Sequence, residues 1–428
     1  NQALATTLVK FAPMSDEIAS DSRVAMATLT ADLKAGKYNT VICVGTNPAY
    51  DAPDAKAFAE AFAKLEGSIA LSVEQSETAA IATWALNGTH FLESWGDVVA
   101  VDGTISPIQP RIAPLYAAID ESGRATGHAP MSDIELLAFV AGDVRTDGTP
   151  KDGYELVRAA WKAKLGTKSD AEFDKAWKRA LHDGLVAGTT GAGATPKVNI
   201  AGVAAAAKDI KLDAAPAGQL EAIVRAGWMH DGRYANITWL QELPQFGTSV
   251  TWDNPALLSP KTAADLGLLP ASATLEEPNT MYTKEKYPAG RIAEFEFSGR
   301  KVKCACWILP GVADGVVILT PGYGRTNGGL ASDEVGFDIG ALRGDAGCVL
   351  SGVKVSATPD YHAIASTQNH WSLEGRTAIV RAVDLPAYKK FAGEAAVDND
   401  EIYAGLTGGA MKFAEKLGEL SHTPPNIS

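Results

Sequence analysis

With 428 residues, 46% of them hydrophobic and 21% charged, the chain is globular in composition and too long for one compact core, so two or three domains are expected. A formal net charge of −13 without any Lys/Arg cluster excludes a nucleic-acid partner, whose phosphates need a basic face, and no apolar run is long enough to cross a bilayer. Four cysteines, Cys43, Cys304, Cys306 and Cys348, are too few and too scattered for a disulfide framework or an iron–sulfur cluster.

The chain opens at Asn1 with neither an initiator methionine nor a charged and apolar leader, and it reads as an excised or processed fragment. From residue 24 it has the rhythm of an α/β unit. An amphipathic helix (24–36) leads to the apolar strand TVICVG (40–45), the turn TNPAYDAP, a second helix (55–65) and the strand SIALSV (68–73). Strands alternating with helices of that length predict a parallel sheet, where ligands sit beyond the carboxyl ends of the strands; Thr46, Asn47, Glu74 and Glu77 fall on that edge. Gly45-Thr46-Asn47-Pro48 is either a turn that grips a phosphate or guanine edge or a tight strand-to-helix connection, and residue type leaves both open. Glu74 and Glu77 with Thr78 resemble a general-acid pair, but carboxylates also suit the positive end of a helix dipole, and the helix start is the preferred reading.

The stretch THFLESWGDVVAVDGTISPIQPRIAPLY (89–116) carries His90, Glu93, Trp95, Asp97, Asp102 and Arg111. A catalytic reading needs His90 as base, Glu93 or Asp97 to orient it, and a nucleophile or metal. Ser94 lacks the G-x-S-x-G elbow, and His90 with Glu93 supplies two ligands where a zinc site needs three. Phe91 and Trp95 are better explained as anchors that pack the stretch against the barrel, so an architectural role is expected.

Three helices follow (SDIELLAFVAG, GYELVRAAWKAKLG, DAEFDKAWKRALHDGL), each opened by Ser or Asp or set behind one, with an aromatic and aliphatic stripe that reads as core. Beyond residue 246 the chain is rich in strands and turns. GRIAEFEFSGRKVKCACWILPGVADGVVILTPGYGRTNGG alternates apolar and polar residues around tight turns, the pattern of a small barrel. Cys304 and Cys306 lie on one face of a strand there and read as buried structural thiols. The last forty residues hold one helix (401–417) and a Pro-rich exit.

Against these residues stands a resemblance. TVICVGTNPAYDAPDAKAFAEAF with SVEQSETAAIATWALNGTHFLESWGD resembles the third domain of the molybdopterin oxidoreductase superfamily, and LLSPKTAADLG through GRKVKCACWILPGVADGVVILTPGYGR resembles its C-terminal dinucleotide-binding barrel. HFLESWGDVVAVDGTISPIQPRIAPLY, WKRALHDGLV and TQNHWSLEGRTAIVRA are similar to one branch, the B subunit of bacterial alternative complex III. Relatives tend to carry proline near position 87, where this chain has Asn87, and paired histidines where it has Asn369, His370 and Trp371.

The resemblance implies an α/β fold class: a parallel-sheet Rossmann-like domain (1–125), a helical connector (126–245), a six-stranded, double-psi-like β-barrel (246–385), and a terminal helix and linker (386–428). In that branch the region has lost its molybdenum cofactor and serves as scaffold for an iron–sulfur subunit that oxidises quinol with its partners. No catalytic residue, metal ligand or cofactor is then expected in this chain, and iron–sulfur clusters belong to a region downstream. The implied partners are the other subunits of a membrane-bound electron-transfer complex, at the periplasmic face of a bacterial inner membrane. The alternative is a fragment of a genuine molybdenum enzyme, in which Thr46, Asn47, Gly322, Arg325 and His370 contact molybdopterin guanine dinucleotide. In that case GYGRTNGG (322–329) cradles pyrophosphate. His370 with Glu374 and Arg376 otherwise forms a salt-linked network.

Overall fold

The computed structural model describes residues 22–115, 118–119, 125–126, 130–166, 169–190, 200–209, 215–269, 289–344 and 346–367. The chain divides into two compact units, Asn1–Ser366 and Thr367–Ser428, and every element named below belongs to the first. The helix expected at 401–417, and Asn369, His370, Trp371, Glu374 and Arg376, lie outside the described residues.

The first layer contains α1 (Ser22–Lys34), β1 (Thr40–Val44), α2 (Pro48–Asp51), α3 (Ala55–Phe62), β2 (Gly67–Ser72), α4 (Glu77–Ile81) and β3 (Trp84–Asn87). As the strand–helix alternation predicts, β1, β2 and β3 form a parallel sheet in that order. Asp54 starts α3 by accepting the Ala57 N–H at 3.1 Å. Phe58 and Phe62, one turn apart, then stack at 5.3 Å and pack with Leu33 and Cys43. Side chains alternate across a strand, so the face opposite Cys43 carries Ile42 and Val44. In register with them lie Ile69, Leu71, Trp84 and Leu86. That apolar face is incompletely covered: Ile42, Val44, Ile69 and Leu86 are half-buried and Trp84 is 63% exposed.

The hairpin β4 (Gly96–Val99) and β5 (Ile105–Ile108) and the short pair β6 (Ala118–Ile119) and β7 (Ala125–Thr126) come next. They are followed by α5 (Asp133–Val140), α6 (Gly153–Leu165), α7 (Asp170–Asp183) and α8 (Ile200–Asp209). The first three helices begin where the N-cap signals place them. Ser132 with Glu135 and Asp152 with Glu155 form capping boxes, Ser169 caps α7, and Gly166 and Gly184 end α6 and α7 in the left-handed conformation. Val157, Trp161, Phe173, Trp177 and Ala180 make a separate small core, onto which Trp95 and Ile105 of the hairpin region pack.

The third part contains β8 (Leu220–Val224), α9 (Thr238–Glu242), β9 (Ala256–Leu258), α10 (Pro260–Asp265), β10 (Ala289–Phe297), β11 (Arg300–Ile308), β12 (Val316–Leu319), α11 (Gly340–Arg343) and β13 (Val349–Ala363). Its strands close into a six-stranded barrel in the order β10-β11-β9-β12-β8-β13. One strand, β8, comes from the stretch read as helical connector: five residues are too few to show a period, and it is recruited by parallel pairing with β12. The 15-residue β13 closes the sheet by pairing with β8 through its first half and β10 through its second. Its register shifts between Ser351 and Val353, and Gly352 (φ 96°) takes up the bend. Cys304 and Cys306 both belong to the barrel core, and burial pushes Cys306 up to about 12 and Cys304 well above the usual thiol range. Among the described residues no helix is long and apolar enough to cross a membrane.

Candidate functional site

The carboxyl edge of the parallel sheet meets the barrel, and the residues there are tied together side chain by side chain. Gly45 (φ 61°) turns the chain out of β1. Asn47 then uses both ends of its amide: Oδ1 accepts the Thr78 N–H (3.0 Å) and hydroxyl (2.9 Å), and Nδ2 donates to Glu77 Oε2 (2.7 Å). Thr78 Oγ1 in turn accepts the Ala49 N–H at 3.0 Å, so the β1–α2 turn is laced to the start of α4.

Glu77 is the first residue of α4, as the helix-start reading has it, but its carboxylate reaches the barrel. Arg325 Nε donates to both oxygens at 2.9 Å and Nη2 lies 2.8 Å from Oε2. The main-chain N–H groups of Thr326 and Asn327 donate to Oε1 at 2.8 and 3.2 Å. Burial alone would raise Glu77, but the donors Arg325, Thr326 and Asn47 overcome it and hold the carboxyl at about 2. Arg325 also donates to the Gly232 carbonyl at 2.7 Å and lies 5.0 Å from the centre of the Tyr50 ring. Tyr50 completes the junction by donating its hydroxyl to the Tyr323 carbonyl at 2.6 Å.

The glycine loop at 322–329 is filled in the same way. Gly328 and Gly329 donate to Asp333 Oδ1 at 2.6 and 3.2 Å, and Gly324 to the Val335 carbonyl at 2.7 Å. Gly322 (φ 100°) is packed against a neighbouring turn, where an added Cβ would meet the His230 carbonyl and Met229 Cβ at 2.9 Å. Of the residues read as dinucleotide contacts, Asn47 and Arg325 are thus brought together through Glu77. Gly322 backs onto the 229–230 turn, Thr46 is exposed at the rim, and His370 lies outside the described residues. Tyr50 and Gly232 had no signal in the sequence, because each acts on a partner far along the chain, whereas Asp333 lies four and five residues from the glycines it holds and was missed within its own loop.

The stretch 89–116 places its polar groups within the fold. Glu93 accepts the N–H groups of His90 (2.9 Å) and Leu115 (3.0 Å), Asp97 accepts the Trp161 indole N–H at 2.9 Å, and Asp102 turns the hairpin tip through the Thr104 N–H. Trp95 anchors the stretch on the α6–α7 core and not on the barrel, beside Tyr154 (5.0 Å) and Trp177 (6.4 Å), because those helices supply the aromatic surface nearest the hairpin. Phe91 is not the anchor it was expected to be: it is 69% exposed and rests on the His90 ring, since the short loop ahead of β4 turns it away from the α6–α7 core.

No protein-family model matches the chain, and no curated protein matches it. Among solved structures it is similar to acetylene hydratase from Pelobacter acetylenicus, with a TM-score of 0.43 and 14% identity. The match covers 78% of this chain and 46% of that one, so the chain spans less than half the enzyme's length.

Proposed function

We propose that this chain is a cofactor-free, molybdopterin-oxidoreductase-like scaffold within the iron–sulfur subunit of a quinol-oxidising, membrane-bound electron-transfer complex of the alternative complex III type. The observation that carries this reading is the filled glycine loop. The N–H groups that would cradle a pyrophosphate are directed at Glu77 and Asp333, and Arg325, the cation that would neutralise it, is held by Glu77 and Gly232. A dinucleotide phosphate needs those donors free, so the residues as arranged do not fit the group. Two of the protein's own carboxylates, Glu77 and Asp333, take up those donors.

The apolar sheet face bearing Ile42, Ile69 and Trp84 supports a scaffold in a larger assembly, since parallel sheets are ordinarily covered on both sides. In this reading the sheet is Rossmann-like, the barrel is double-psi-like, and iron–sulfur clusters are carried by a neighbouring region. Other subunits hold the assembly at the periplasmic face of the inner membrane. The test is to tag the protein in its native cell and purify it from membranes. Recovery with membrane-embedded subunits and quinol oxidation, and with molybdenum far below one atom per chain, is expected. Recovery free of the membrane, or with near one molybdenum per chain, would overturn the reading.

A further inference from the structure

Tyr50 also lines a cleft of about 200 Å³, below the roughly 300–1,000 Å³ of pockets for drug-sized ligands. Its walls come from α2, the exit of β8, the turn at 230–231, the loop at 321–322 and α11. Gly322, Gly340 and Gly344 bring bare main chain to the space. Two oppositely charged side chains line it without pairing. Arg343 has no hydrogen-bond or ion-pair partner among the described residues, and Asp51 has none beyond its own main-chain N–H. The nearby Asp231 is already engaged by Arg233 at 2.6 Å.

We propose that this cleft binds a small zwitterion of the amino-acid class, its ammonium against Asp51 and its carboxylate against Arg343. A simple cation would leave Arg343 without a partner, and a simple anion would leave Asp51 facing Asp231 uncompensated. Charged groups reach Asp51 from several elements. Asp231, Arg233 and His230 face it from the turn after β8, Arg325 from the loop after β12, and Arg343 from α11. Asp51 stands at the exposed mouth of the cleft, and partial loss of solvent on its cleft side, then the negative charge of Asp231, push its carboxyl up to about 7, with Arg233 and Arg325 only partly offsetting them. A carboxyl at a cleft whose titration is moved towards neutral pH by its surroundings is a mark of a ligand-facing group. The cleft adjoins the Glu77–Arg325 junction through Tyr50, but the proposal does not depend on the scaffold reading.

Cys348 supplies a reporter, because it is exposed and lines the same cleft while Cys43, Cys304 and Cys306 are buried. Glycine, β-alanine and 4-aminobutyrate are titrated against propylamine and propionate, following the melting temperature and the rate of Cys348 alkylation. At least one amino acid should raise the melting temperature saturably and slow alkylation, with both effects weakened about tenfold or more in Asp51→Asn and in Arg343→Met. Affinity should also fall about tenfold per pH unit below about pH 7, as Asp51 takes up its proton. The proposal is overturned if none of the three acts at concentrations up to about 10 mM. It is equally overturned if propylamine matches the best of them and Arg343→Met changes nothing.

Discussion

Glu77 occupies both of its oxygens with donors that would otherwise be stranded at the junction, and Arg325, at 6% side-chain exposure, depends on it for its charge partner. Removing one member of a buried pair leaves the other uncompensated, so Glu77→Ala should cost about 3–5 kcal/mol in urea unfolding, and Glu77→Gln clearly less. A loss below about 1 kcal/mol for the alanine variant would mean that Arg325 finds another partner. The pH dependences of the two neighbouring acids run in opposite directions. Glu77 lies below its ordinary 4.5 when folded, so its contribution is complete above 4.5 and is lost as pH falls towards 2. Asp51 is raised from 3.8 to about 7, so the fold prefers its protonated form and loses stability as pH rises between those values. Asp51→Asn should therefore melt higher than the parent protein at about pH 8 and no higher near pH 4, where both are neutral at this position.

At the scale of elements, α6 and α7 hold the β4–β5 hairpin through an aromatic cluster in which Trp177 touches Trp95, Tyr154, Trp161 and Phe173. Trp177→Ala should cost about 3–5 kcal/mol by calorimetry or denaturant unfolding. Trp95→Ala should strip hydrogen-exchange protection from the hairpin amides while leaving those of the barrel unchanged; equal loss in both would show that the small core is not a separate unit. For the 322–329 loop, GDP and inorganic pyrophosphate should leave the melting temperature unchanged, because ligand stabilisation requires free donors in the native state. An upward shift with GDP that vanishes in Arg325→Ala would favour a working dinucleotide site. These elements were unequally legible in the sequence. Helices α5, α6 and α7 could be read because Ser132, Asp152 and Ser169 and the apolar spacing behind them act within a few residues. Strands β8 and β9 are five and three residues long and become strands through partners far along the chain. The same holds for the site. Asn47 and Glu77 could be placed on the sheet edge from strand spacing, but Glu77 meets Arg325 across 248 residues, and no local pattern encodes that distance.

For the whole molecule, a second titrating group adds to Asp51. His362 Nε2 lies 2.6 Å from the buried Asp253 carboxylate, and this hydrogen bond holds the imidazole above its ordinary 6.5 against the opposing effect of burial. A raised histidine contributes fully below 6.5 and loses that contribution as pH rises through its folded value. Asp51 and His362 thus act in the same direction, and the melting temperature should decline from about pH 5 to about pH 8, with a flatter profile in the Asp51→Asn, His362→Gln double variant. A profile that rises across this range would show that neither group behaves as its surroundings dictate.

Barrel closure by β13 also has a consequence for biosynthesis. The neighbours of β8 in the finished sheet are β12 and β13, both of which are translated much later. At about 5–20 residues per second, the nascent segment LEAIV waits for seconds with both hydrogen-bonding edges open, the state in which a strand is most easily captured by another chain. The α/β layer, whose three strands pair in the order they are made, has no such delay. Successful production of this protein in a foreign cell should therefore be limited by the interval between synthesis of β8 and synthesis of β13, and slower growth temperatures or holdase chaperones should act on that interval first.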